Sequence, residues 1–127
     1  MHAAPRVLII EDNHDAAESL RQVLELLGCS VIVSYTGPDG IQAAKRFGPD
    51  VVICDIGLPG LDGYQVAQQL RHQAGLEKIL LIAVTGYGQE EDRRQAQQAG
   101  FDHHLVKPVD PHFLQKLIIR SLAHAEK

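Results

Sequence analysis

Three segments of the chain are apolar without interruption: Val7 to Ile10 within "RVLII", "VVIC" at 51–54 and "ILLIAV" at 79–84. A strand with one face in water alternates apolar and polar residues, whereas a strand covered on both faces does not. These three therefore read as central strands of a parallel sheet. "CSVIVSY" at 29–35 alternates in part and "HHLVK" at 103–107 opens with polar residues, so both fit the less buried edges. Between the strands the period changes. Leu20, Val23, Leu24 and Leu27 recur at i, i+3, i+4, i+7, as do Gly40, Ala43, Ala44 and Phe47, and Gly63, Val66, Ala67 and Leu70, each set giving a helix one core-facing stripe. A fourth helix, within "GQEEDRRQAQQAG", has only Ala96 and Ala99 as apolar anchors and reads as the least firmly held. The last starts at "DPHF", with Asp110 as N-cap, Pro111 in the first turn, and Phe113, Leu114, Leu117, Ile118 and Leu122 facing inward.

The order is strand then helix, five times over. Such alternation with short connections predicts right-handed crossovers and an α/β fold, a five-stranded parallel sheet between layers of helices. The 127 residues suffice for one core and are too few for two ordinary domains. No linker or low-complexity stretch remains, so a single domain over 1–127 is expected, with its core at about 6–123.

Composition removes several classes. With 45% hydrophobic residues and a net charge of −4, the chain is neither a disordered acidic tail nor a basic nucleic-acid binder. The first apolar run spans four residues before charge intervenes, too short for a signal-peptide core or membrane insertion; a cytoplasmic protein is expected. Cys29 and Cys54 lack a C-x-x-C partner and read as small buried thiols.

Parallel sheets of this kind keep their ligand sites outside the carboxyl ends of the strands. Those ends carry Glu11 and Asp12 after the first strand, Asp55 after the third, Thr85 after the fourth and Lys107 after the fifth. Three carboxylates sharing a crevice repel one another, a pair at about 4 Å costing roughly 4 kcal/mol at an effective dielectric near 20. One lysine leaves the four charged groups at −2, which a divalent ion would cancel. Oxygen donors without cysteine or clustered histidine point to magnesium or a similar hard cation. The first strand is followed by "EDNHD" instead of a glycine-rich loop with free amides, which argues against a flavin or dinucleotide.

These motifs, in this order, are the acidic pair Glu11-Asp12, "DIGLPGLDG" around Asp55, Thr85, and Lys107-Pro108. With them the chain resembles the receiver domains of two-component response regulators, from about Val7 to Leu122. The resemblance implies a doubly wound, flavodoxin-like sheet of order 2-1-3-4-5. It implies that Asp55 accepts a phosphoryl group from a phosphohistidine on a histidine kinase or histidine phosphotransfer protein. Asp12, Asp55 and the Gly57 carbonyl would hold Mg2+ directly, and Glu11 through water. Lys107 and Thr85 would face the phosphoryl group, and the signal would pass to the face formed by the fourth helix, fifth strand and fifth helix. The chain would be a monomer or weak dimer without direct nucleic-acid contact, its downstream protein partner not named by the sequence. The Lys107-Pro108 bond is expected to allow a cis form.

Three positions depart from the commonest family pattern: Gly86 where alanine is frequent, His104 where Tyr or Phe usually stands, and Gly60, with no evident consequence. With His104 in the aromatic position, a shallow switch is expected, and Tyr87 is a substitute aromatic reporter beside Thr85. His2, His14, His72, His103, His112 and His124 are scattered and read as surface residues. A haloacid-dehalogenase-type phosphatase would need a second carboxylate two residues after its nucleophile, where Asp55 is followed by Ile56 and Gly57. A scaffold that is never phosphorylated would not need Asp12, Asp55, Thr85 and Lys107 together. "GYG" and "FDHHLVKPVD" resemble receivers of hybrid histidine kinases, so the chain is expected to be either a stand-alone receiver or one excised from a larger protein, with no output module after the fifth helix.

Overall fold

The computed structural model describes residues 4–86 and 90–125. Strands β1 (Arg6–Ile10), β2 (Ser30–Ser34), β3 (Val51–Asp55), β4 (Leu80–Thr85) and β5 (His103–Val106) alternate with helices α1 (His14–Leu26), α2 (Gly37–Phe47), α3 (Gly63–Arg71), α4 (Glu90–Ala99) and α5 (Pro111–Ala125). All pairings are parallel and the order is β2-β1-β3-β4-β5. The three uninterrupted apolar runs are the three inner strands.

Side chains along a strand point alternately to opposite faces, and both faces here are covered. Leu8 and Ile10 of β1, Val52 and Cys54 of β3, and Leu81 and Ala83 of β4 share one core with α2, α3 and α4. Val7, Ile9, Val51, Ile53, Leu80, Ile82 and Val84 share the other with Leu24 of α1 and with Leu114 and Ile118 of α5. Cys54 lies in the first core and Cys29 in the second, both as free buried thiols.

The α3 stripe of Gly63, Val66, Ala67 and Leu70 is buried as its spacing predicts, and α4 contributes Ala96 and Ala99. Phe113 corrects the α5 reading: it is 52% exposed. At 100° per residue, Leu114, Leu117, Ile118 and Leu122 span one face, and Phe113 lies one step off its edge. The start of α5 is as expected, with Asp110 Oδ1 accepting the His112 N–H at 3.0 Å and its carbonyl accepting the Leu114 N–H.

Candidate functional site

The carboxyl ends of β1, β3, β4 and β5 gather Glu11, Asp55, Thr85 and Lys107 on one edge of the sheet. Glu11 follows directly on β1, and its N–H continues the β1–β2 ladder to the Ser34 carbonyl at 3.0 Å. Its side chain is almost wholly buried; Oε2 accepts the Asn13 N–H at 3.1 Å and Oε1 accepts from Lys107 Nζ at 2.8 Å. Asn13 in turn caps α1, its Oδ1 accepting the Ala16 N–H at 3.0 Å. One residue thus fixes both the helix start and the acidic side chain. Asp12 is exposed.

Asp55 ends β3. Its Oδ1 accepts the Gly57 N–H at 3.0 Å and its Oδ2 lies 3.4 Å from Lys107 Nζ. The turn beyond it is held from several sides: Ile56 N–H bonds the Val84 carbonyl, and Gly63 N–H returns to the Ile56 carbonyl at 3.1 Å. Asp62 and Gln65 form a reciprocal capping box at the start of α3, at 2.9 and 3.0 Å. Gly63 packs against the backbone of the acidic residue itself: a Cβ there would stand 2.6 Å from both the Asp55 carbonyl oxygen and Ile56 Cα. Gly60 also has a consequence that its sequence position did not reveal. Its φ of +73° is left-handed backbone, which glycine adopts without steric penalty.

One carboxylate oxygen from each of Glu11, Asp12 and Asp55 lies within 4.8 Å of the others. This all-oxygen donor set, partly buried and rigidly based, fits a hard divalent cation. Burial is the main influence on Glu11 and, with the Asp55 charge, raises its pKa despite the bonds from Lys107 and Asn13. Burial opposes the charge on Lys107 too, but the bond to Glu11 and the charges of Asp55 and Glu11 prevail and raise its pKa. The asymmetry follows from depth: the Lys107 side chain is 37% exposed and that of Glu11 10%.

Thr85 ends β4, buried, one residue beyond the Val84 that pairs with Asp55; its carbonyl accepts the Lys107 N–H at 2.8 Å. The Lys107-Pro108 bond is cis. Beside the carboxylates a cavity of about 500 Å³ runs under α1, walled by Ala16, Leu20 and Val23 on one side and by Pro108 and Val109 on the other. His104, on the edge strand β5, pairs with Ala83 of β4 and takes no part in the hydrogen bonds of the acidic cluster. Tyr87 lies outside the described residues. A Cβ on Gly86 would meet nothing within 4 Å, so glycine there is not required by packing. Sequence reading missed Asn13, the Asp62–Gln65 box and the close approach at Gly63; the spacing of "DGYQ" signals the second.

The response regulator receiver domain matches residues 7–119. The chain belongs to that family. This receiver is 38% identical over 118 residues to the protein PilH of Pseudomonas aeruginosa, covering 93% of this chain and 98% of PilH. It is 30% identical over 112 residues to the polar-differentiation response regulator DivK of Brucella ovis, covering 87% of this chain and 91% of DivK. Among solved structures, the CheY-like receiver domain protein of Methanospirillum hungatei JF-1 superposes with a TM-score of 0.89 at 28% identity, covering 97% of each chain. The receiver domain of the sensor histidine kinase PA1611 of Pseudomonas aeruginosa PAO1 does so at 0.87 and 30%, covering 95% of this chain and 99% of that one. That structure holds a magnesium ion in its active site cleft.

Receiver domains act in two-component signalling, pair with histidine kinases, and are not turnover enzymes. The receiver reading therefore displaces the phosphatase alternative. The cluster of Glu11, Asp12 and Asp55 is the kind of acidic triad at which receivers bind magnesium. Among the described residues no helix is long and apolar enough to cross a membrane.

Proposed function

We propose that this single receiver domain, over residues 1–127, accepts a phosphoryl group on Asp55 from a phosphohistidine of a histidine kinase or histidine phosphotransfer protein. The observation that carries the reading is the convergence of Lys107 Nζ on Glu11 and Asp55, at 2.8 and 3.4 Å, within a carboxylate cluster that one lysine leaves anionic. Asp12, Asp55 and the Gly57 carbonyl would hold Mg2+, with Glu11 at one remove. Magnesium bound there supplies positive charge to the oxygens of the transferring group.

In the transfer, the N–P bond of the phosphohistidine breaks and an O–P bond forms to the Asp55 carboxylate. The imidazole leaves with the electron pair of the broken bond. Asp55 is the nucleophile as a carboxylate, so the protein needs charge neutralisation more than a general base. The Gly57 N–H, on Oδ1, restrains the carboxylate, and Lys107 offsets negative charge on the Oδ2 side. The cavity under α1 is bordered by Glu11, Asp55 and Lys107 and is otherwise mostly apolar, so the donor side chain would approach these groups over an apolar wall.

Phosphorylation takes the Asp55 side chain from −1 to near −2 and adds acceptor oxygens. Thr85, one residue past the register partner of Asp55, donates its hydroxyl to the new group, and the β4 loop follows. The output is carried by the face of α4, β5 and α5. His104 stands there in place of the usual aromatic ring and transmits less of the motion, with Tyr87 as the substitute reporter. Acetyl phosphate with magnesium is expected to add one phosphoryl group, detected by intact-mass spectrometry, and Asp55→Asn to abolish the adduct. An unmodified wild type, or an undiminished adduct in the variant, would overturn the assignment.

A further inference from the structure

We propose that His104 is a proton-operated latch for α4: the neutral ring keeps α4 seated on β5, and a protonated ring leaves its pocket and releases the helix. The proposal concerns the protein without phosphorylation and stands or falls separately from the role of Asp55.

The geometry that supports it lies at the outer edge of the sheet. Both His104 ring nitrogens are shut from solvent and have no hydrogen-bond partner among the described residues. A neutral imidazole already loses hydration there without compensation, and an imidazolium would bury two donors and a charge. The residue has somewhere to go. A cavity of about 470 Å³ lies between α4 and β5, lined by His104 together with Arg93, Ala96, Gln97 and Phe101. Ala96 is also one of the two buried residues of α4, so the wall of the cavity and the anchor of the helix are the same side chain. β5 is an edge strand, paired on one side with β4 and, among the described residues, without a neighbouring strand on the other. The helix that covers the ring buries only two small side chains, Ala96 and Ala99.

The charges around His104 act in both directions. Burial is the main influence on its pKa, which is lowered; Arg93 of α4 lowers it further and Asp92 of α4 opposes both. β4 presents no titratable side chain, its sequence being LLIAVT. On the β5 side Asp102 is occupied by Arg71 at 2.9 Å, and His103 adjoins His104 along the strand. Among the described residues no carboxylate hydrogen-bonds the ring. A lowered folded-state value means that an open form, with an ordinary histidine pKa of about 6.5, binds more protons than the seated form. The seated form is therefore fully favoured above that value and loses ground as the pH falls through it, until both forms are protonated.

The test is a pH titration of the His104 imidazole by NMR together with hydrogen exchange of the α4 amides between pH 7.5 and 5. His104 is expected to titrate below the ordinary histidine value. The α4 protection factors, corrected for intrinsic exchange, are expected to fall with pH by up to about tenfold for each unit of that depression. Protection in β1 and β3 should stay unchanged. His104→Phe should keep α4 protected at both pH values; should that variant not fold, the wild-type titration and exchange decide the question by themselves. A His104 that titrates at or above 6.5, an α4 whose protection ignores pH, or a pH-dependent loss that persists in a folded His104→Phe would overturn the proposal.

Discussion

Asp12 differs from its two acidic neighbours in what restrains it. Glu11 and Asp55 both face Lys107 and both receive a backbone N–H, whereas Asp12 is exposed and makes no ion pair among the described residues. On the proposed reading it would contribute to cation affinity, and it adds to the repulsion with little return to the apo fold. Asp12→Ala is expected to weaken magnesium binding by about tenfold or more, since on the proposed reading it would delete one of few direct carboxylates. Removing one of three crowded charges also relieves repulsion. Thermal melts in chelator should then give an equal or higher midpoint. A clearly lower midpoint would show that Asp12 is structurally paired, contrary to this assignment of charges. The acidic trio and Lys107 were legible in the sequence, because each charge stands at or just past the carboxyl end of a strand and the parallel topology brings those strand ends to one edge. Asn13 and Gly63 were not, because their roles depend on which backbone group comes within reach after folding.

At the scale of elements, α4 is held unevenly. Arg71, the last residue of α3, donates to the carbonyls of Gly100, Glu77 and Ile79 at 2.9, 3.0 and 2.7 Å and pairs with Asp102 at 2.9 Å. Asp102 also accepts the Leu81 N–H at 2.9 Å. One guanidinium thus ties the end of α3, the approach to β4, the turn after α4 and the start of β5. Toward its N-terminus α4 is met by the Tyr64 hydroxyl, 3.5 Å from the Asp92 carbonyl, a long bond at the limit of that interaction. Movement of α4 is consequently expected to pivot about its C-terminal end. Arg71→Met should destabilise the protein by about 2–3 kcal/mol, because several acceptors lose a donor that water replaces only in part. Arg71→Lys should recover little, since an ammonium cannot reproduce the planar fork. Urea denaturation checks both; a midpoint unchanged by Arg71→Met would show that the network adds nothing to stability. Sequence periodicity had placed α4 and its two alanines, but it carried no sign of this clamp, which joins residues 29 and 31 positions apart. It also turned Phe113 of α5 toward the core, because hydrophobicity alone does not distinguish a residue on the buried stripe from one just off it.

For the molecule as a whole, the continuous strands β1, β3 and β4 made the parallel sheet legible, since only two covered faces permit such runs. The edge positions of β2 and β5 followed from their partial polarity. Strand order did not follow from the runs themselves and entered with the family resemblance, which the observed β2-β1-β3-β4-β5 order bears out. That order has a functional outcome: it sets β1 beside β3, bringing Glu11 and Asp12 to Asp55, while β5 at the edge supplies Lys107 across β4. The central claim is that this arrangement makes Asp55 the phosphoryl acceptor. Its most direct test is to treat the phosphorylated protein with borohydride, which reduces an acyl phosphate to the alcohol, and to locate the product by peptide mass mapping. Homoserine is expected at position 55, with the carboxylates of Glu11 and Asp12 unaltered. Reduction at another carboxylate, or a phosphoryl group that resists borohydride and maps to a histidine or hydroxyl side chain, would contradict it.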